Sequence, residues 1–239
     1  MAVILNIESS GSACSVALGV DLNLEFNIDE RTPMKQATLL APFTSKALEE
    51  VTRKGLKLDA IAVSQGPGSY TGLRIGMSLA KGLAYSMDVP LIGVSTLEII
   101  AVKAMFQRMD WTGEEILVPM IDARRMEVYT AAYDFFLHPL MEPQAMVVKS
   151  DSFNSLPEGR PVWFMGDGAM KTKDVIRHPD AQWIDGMVPV ASDMIALSEK
   201  AFREEKFIDK AYAGPLYIKD YNAIIGENPL KHLLDTNVC

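Results

Sequence analysis

Three short runs open the chain with apolar residues in continuous or alternating order, at positions 3–7 (VILNI), 14–20 (CSVALGV) and 22–28 (LNLEFNI). Ser9, Ser10, Gly11, Ser12 and Asp21 punctuate them, so the pattern predicts three strands joined by tight turns. The period then changes. Pro33 opens a helical stretch to about Arg53, in which Leu40, Phe43, Ala47 and Val51 recur at helical spacing. Pro42 within it is expected to kink the helix or begin a second segment. A buried strand over 61–64, a helix over 69–87, a strand over 91–94 and a helix from its cap Ser95 to about Phe106 complete a βββαβαβα order.

The second half starts that order again. Strands over 116–121 and 126–135 flank the turn Asp122-Ala123-Arg124-Arg125, and 145–149 reads as a third. A short polar helix over 151–156, a strand over 162–165 and a helix after Gly168 come next. A strand around Trp183 and Ile184 then precedes a helix over 192–207, where Met194, Leu197 and Ala201 share a face. The halves match in element order and not in residue identity. The expected fold is α/β, with two actin-like (ribonuclease H-like) lobes facing across a cleft, each a mixed sheet in βββαβα order. The best boundary lies near 107–113. That gives an N-terminal lobe at 1–106 and a C-terminal lobe at 107–239, with the last segment returning to the first lobe.

Composition narrows the function classes. With 239 residues, 49% of them apolar, the chain can bury a large core without disulfides, and its two cysteines, Cys14 and Cys239, form no framework or zinc pattern. The opening MAVILNIESS reads as a first strand and not as a signal peptide, and no apolar run is long enough to span a bilayer, so a cytoplasmic setting is expected. The net charge of -8 opposes direct nucleic-acid binding, so any such role must be local or supplied by a partner.

The stretch SQGPGSYTGLRIG, from Ser64 to Gly76, carries four glycines where a strand meets a helix. Arg74 and Ile75 stand where a phosphate loop would want Lys and Ser or Thr, and the glycine spacing is one residue too long for a dinucleotide fingerprint. A turn at Gly66-Pro67-Gly68 with Ser69 as cap accounts for the first two glycines only. Gly72 and Gly76 each cost about 1 kcal/mol relative to Ala within a helix, so they call for a close neighbour. Gly72, Gly76, Ala80 and Leu83 line one side, Leu73, Met77, Ala84 and Met87 extend the apolar surface, and Ile75 and Leu79 close most of the rest. Such a helix needs neighbours on two sides: its own sheet, and either the helix over 33–53 or a second protein.

Gly66-Pro67-Gly68-Ser69-Tyr70-Thr71-Gly72-Leu73-Arg74-Ile75-Gly76 closely resembles the signature of the bacterial TsaB (YeaZ) family, in the glycoprotease-like branch of the actin-type fold. Gly93-Val94-Ser95-Thr96-Leu97 resembles the family's strand-to-helix join, Asp122 to Tyr129 its second-lobe hairpin, and Pro215-Leu216-Tyr217-Ile218-Lys219 its closing motif. Glu8 stands where the family often has Asp, Gln36-Ala37 where it often has a histidine, and Lys219 where Arg is usual. The resemblance implies a non-catalytic scaffold for tRNA threonylcarbamoyladenosine modification. It would pair with a TsaD-like catalytic subunit, be joined by a TsaE-like ATPase, form homodimers through a similar surface, and meet tRNA only through the complex. Docking would use the first-lobe helices. Leu40, Phe43, Ala47, Gly72, Leu73, Gly76, Met77, Ala80 and Ala84 are the expected interface, with Gly72, Gly76 and Ala80 permitting close approach.

Catalytic readings find less support. His138, His178 and His232 are far apart with no paired spacing; His138 and His178 each precede a proline and read as surface residues, and no metal site or catalytic residue is assigned. No GxSxG occurs, and the three tryptophans read as core or lobe-edge residues. The alternative is a small ATPase or phosphotransferase using the interlobe cleft, its phosphates near the Ser9–Ser12 and Asp122–Arg125 turns. Glu8, Arg124, Gly166 and Gly168 are the candidates for nucleotide contact. No tightly bound cofactor is expected, and ATP or ADP would be met only within the complex.

Overall fold

The computed structural model describes residues 2–32 and 35–219; the expected helix start at Pro33, and the tail with His232 and Cys239, lie outside them. β1 (Val3–Glu8), β2 (Cys14–Val20), β3 (Asn23–Glu30), β4 (Ala60–Gly66) and β5 (Leu91–Ser95) form one sheet in the order β3-β2-β1-β4-β5. The strand β1 pairs antiparallel with β2 and parallel with β4. The second half repeats this with β6 (Ile116–Asp122), β7 (Glu127–Tyr133), β8 (Pro139–Val147), β9 (Val162–Met165) and β10 (Ala181–Ile184), ordered β8-β7-β6-β9-β10. Again the first strand is antiparallel to the second, β7, and parallel to the fourth, β9. Two mixed sheets of one topology make a two-lobed α/β fold.

Helices α1 (Gln36–Arg53) and α2 (Tyr70–Ser86) cover one face of the first sheet. Leu40, Phe43 and Ala47 of α1 and Met77, Ala80 and Ala84 of α2 pack with Leu5, Val16, Ile61 and Val63. Contrary to expectation, α1 runs unbroken through Pro42. Pro42 faces solvent, and one lost backbone hydrogen bond is outweighed by the buried anchors along the opposite side.

The helix buried on two sides is α3 (Thr96–Gln107). Leu97, Ile100, Ala101 and Ala104 pack with Leu117 and Ala131 of the second sheet, while Ile99 joins Ile4, Ala62 and Ile92 of the first. Helix α4 (Ile195–Arg203), from the second half, closes the same back face of the first sheet, where Leu197 and Ala201 meet Ile4 and Val94. The sequence boundary near 107–113 therefore follows a helix shared by both lobes.

Three elements differ from the pattern reading. β8 starts at Pro139, not near 145, because it is a sheet edge where its prolines break no central ladder. Residues 151–156 are turns, since their Ser, Asp and Asn side chains compete with helical bonding while Phe153 and Leu156 fill the second core. After Gly168 only the 3-10 turn Met170–Thr172 forms.

Candidate functional site: the interlobe cleft and the first-lobe helix face

The strand-to-helix glycines are explained within the chain. A Cβ on Gly68 would strike the Ser10 carbonyl, one on Gly72 the Ser9 carbonyl, and one on Gly76 the Ser9 hydroxyl. Helix α2 thus presses its N-terminal turns onto the β1–β2 turn. Ser69 N donates to the Ser10 carbonyl at 2.6 Å, Ser9 Oγ to the Gly72 carbonyl at 2.9 Å, and Ser69 Oγ accepts from Gly72 N at 3.3 Å as the cap. The neighbour those glycines require is this turn and not another protein. Ser9 and Ser10 were legible only as a turn, because nothing in the local pattern says which helix will lie on them.

This corrects the expected interface. Leu40, Phe43, Ala47, Leu73, Met77, Ala80 and Ala84 are all buried in the first lobe's own core, and Gly72 and Gly76 are buried against Ser9. Of these, only Gly72 and Leu73 reach the wall of a surface hollow. What α1 and α2 leave outward is different. Leu39, Leu48, Ile75, Leu79 and Leu83 are half-buried, Thr71, Arg74, Ser78 and Gly82 are exposed, and an added Cβ at Gly82 would meet no atom within 4 Å. A hollow of about 410 Å³ opens where the two helices start, lined by Gln36, Ala37, Thr71 and Ile75 among others.

The two hairpin turns do converge on one cleft. About 680 Å³ lies between Ser10, Gly11 and Ser12 on one side and Asp122, Ala123 and Arg124 on the other, with Ser69, Tyr70 and Asp167 completing the wall. Of the four nucleotide candidates only Arg124 lines it. Gly166 and Gly168 are buried because they must clear the backbone of Met120 and of Ile121 and Asp122. Glu8 is sealed from solvent, its Oε1 accepting from Ser10 N at 2.5 Å and Ser10 Oγ at 2.6 Å. Burial pushes the Glu8 carboxyl up to about 7 against the pull of the Ser10 hydrogen bonds, and Asp193 adds a smaller upward push. Arg124 and Arg125 form the opposite tip with φ of 69° and 48°, a left-handed pair that costs about 1–2 kcal/mol per residue outside glycine. Asp122 Oδ1 accepts from Arg124 N at 2.9 Å and supports that tip.

The segment after α4 bridges the lobes. Lys81 Nζ donates to the carbonyls of Ala211 and Ala213 at 2.8 and 2.9 Å, Leu216 N to the Gln65 carbonyl at 2.7 Å, and Tyr217 stacks on Tyr70 at 5.0 Å. Lys219 reaches Glu127 of the second lobe. Sequence reasoning gave no role to Lys81 or to Gln65.

The histidines divide. His138 is exposed beside Asp134 at 2.9 Å, but His178, expected at the surface, is buried, with Nδ1 accepting from Asp180 N at 3.3 Å. Its ring is drawn in by the turn that its own neighbours make. Cys14 is buried and its thiol is pushed up to about 11 by burial, which makes it inert. Among the described residues no helix is long and apolar enough to cross a membrane, and no group of three or more His, Cys, Asp or Glu could hold a metal ion.

Residues 34–147 match the family model described as TsaD: tRNA N6-adenosine threonylcarbamoyltransferase. The tRNA threonylcarbamoyladenosine biosynthesis protein TsaB of Escherichia coli is 30% identical over 225 residues, covering 91% of this chain and 94% of that protein. TsaB of Bacillus subtilis is 40% identical over 123 residues, 50% of this chain and 51% of that protein. The solved structure of YeaZ from Pseudomonas aeruginosa superposes with a TM-score of 0.76 at 25% identity, covering 91% of this chain and 100% of that one.

Proposed function

The chain belongs to the TsaB family of tRNA threonylcarbamoyladenosine biosynthesis proteins, and from that premise we propose that it is the non-catalytic scaffold that pairs with a TsaD-like catalytic subunit. A TsaE-like ATPase joins the pair, and tRNA is met only through the assembled complex. The comparisons lend no support to a cleft ATPase or phosphotransferase.

The observation that carries the pairing is the outer face of α1 and α2. Its half-buried leucines and Ile75 form an apolar strip on two parallel-packed elements, and Gly82 removes side-chain bulk at the middle of the exposed side. A partner helix can lie close along such a strip, and obligate pairings of this kind bury on the order of 2,000 Å² or more. The family model matched over 34–147 includes both helices, so the partner offers a related lobe. Two related lobes joined by their outer helices bury like against like, and the same strip serves a homodimer when the partner is missing.

The test is co-expression with the TsaD-like subunit followed by size-exclusion chromatography. The wild type co-elutes with it. Gly82→Arg, which fills open space and leaves the fold intact, abolishes co-elution; a Gly82→Arg protein that still pairs removes this face from the interface.

A further inference from the structure

We propose that the hollow enclosed by β5, α3, α4 and the turn between β7 and β8 binds a free α-amino acid with an apolar side chain. The proposal goes beyond the pairing described above and does not rest on it.

The hollow has a volume of about 370 Å³, at the small end of the roughly 300–1,000 Å³ of ligand pockets. Gly93 and Val94 come to it from β5, and Glu98 from the first turn of α3. Leu197, Lys200 and Ala201 are three and four residues apart, so α4 turns one face toward it. Leu137 and His138 bring in the second lobe. Their turn is held in place before any ligand arrives, because Asp134 Oδ1 accepts from Phe136 N and from His138 N, each at 2.8 Å. Leu137 is kept there at φ 64°, a conformation that bulky side chains rarely adopt and that binding sites often store.

Charge decides the kind of ligand. Five ionisable side chains line the hollow, and three of them are already engaged: Lys206 with Glu204 at 2.6 Å, and His138 with Asp134 at 2.9 Å. Among the described residues, the side chains of Glu98 and Lys200 have no hydrogen-bond or ion-pair partner. Glu98 is half-buried, and burial pushes its carboxyl above the ordinary value; the downward pull of Lys200 and Lys206, both beyond ion-pair contact, does not offset this. A half-buried carboxylate at a helix N-terminus, short of a cation, is a seat for an ammonium group. Lys200, exposed at the rim, is a seat for a carboxylate. Val94, Leu137, Leu197 and Ala201 supply an apolar wall for the side chain between them.

Other ligand classes match less of this. A phosphate or nucleotide would bring its charge against Glu98 and Glu204. A divalent cation would find one free carboxylate, short of the several oxygen ligands it needs. An amine alone leaves Lys200 unmatched, and a carboxylate alone leaves Glu98 unmatched. The hollow shares no lining residue with the interlobe cleft or with the hollow where α1 and α2 start.

The full-length protein is titrated by calorimetry with L-leucine, glycine, isoamylamine and isocaproate. The last three are leucine without its side chain, without its carboxylate and without its amine. Leucine binds saturably at one site per chain, and each of the others binds at least tenfold more weakly. Glu98→Gln keeps the shape of the carboxyl and Lys200→Met keeps most of the length of the rim side chain. Each weakens leucine binding at least tenfold with unchanged circular dichroism. No leucine binding at about 10 mM ligand overturns the proposal. So does glycine, isoamylamine or isocaproate binding as tightly as leucine, or leucine binding that survives Glu98→Gln. A Tm lowered by Lys200→Met in a protein that binds no leucine would mean that the lysine closes on Glu98 as a structural pair, which also overturns it. Both variants still co-elute with the TsaD-like subunit. A failed leucine titration thus leaves the α1 and α2 pairing standing, and a failed Gly82→Arg block leaves this site standing.

Discussion

The Ser9 hydroxyl donates to the Gly72 carbonyl at 2.9 Å, and a methyl group on Gly72 would overlap the Ser9 carbonyl. This one contact locks the first helix turn of α2 onto the β1–β2 turn and sets the lip of the interlobe cleft. It also changes what the glycines are for, from a groove kept open for a partner to a helix seated on its own sheet.

Gly76→Ala therefore tests folding. Its Cβ meets the Ser9 hydroxyl inside the core, so the variant should lose about 1–3 kcal/mol, or roughly 2–4 °C in Tm for each of them. Gly82→Ala on the same helix meets nothing and should gain about 1 kcal/mol. Thermal melts of the two variants should move in opposite directions.

Glu8 makes stability depend on pH in a stated window. Its carboxyl is held at about 7 when folded against 4.5 when free, so the folded chain binds the extra proton between those values. The contribution of this group is most favourable below 4.5 and falls as pH rises to about 7. Glu8→Gln removes that slope. Urea unfolding at pH 5, 6, 7 and 8 should show the wild type losing ground relative to the variant across the window; parallel curves would show that Glu8 does not titrate there.

Lys103, at 7% exposure, pairs with Asp193 at 2.8 Å between α3 and the turn before α4. Asp193 also accepts from Val190 N at 3.1 Å. Lys103→Met should cost about 3–5 kcal/mol by leaving the carboxylate uncompensated, and adding Asp193→Asn should restore part of the loss. Denaturant midpoints of the single and double variants measure the coupling.

Lys81 ties the segment after α4 to α2. Lys81→Ala should raise hydrogen exchange at the Leu216 amide and hasten proteolytic cleavage within 209–219, while the midpoint of global unfolding moves by about 1 kcal/mol or less. Unchanged exchange would mean that Gln65 and the Tyr70 stack hold the segment without it.

The order of the strands, the repeat of one sheet topology in both halves and the family were legible along the chain, but two of the helices expected in the second half were not formed. Strand and helix periods are local properties, and the motifs from Gly66 to Gly76 and from Asp122 to Tyr129 are contiguous. Burial on two sides was legible too, but not the identity of the second neighbour. Gly72 and Gly76 need something close, and a helical projection does not say whether it is Ser9, sixty residues away, or another protein. Only the folded chain decides that, because close approach is settled by long-range register. The same holds for α3 between the sheets, for Lys81 beneath a segment 130 residues later, and for the hollow that brings Glu98, Leu137 and Lys200 together.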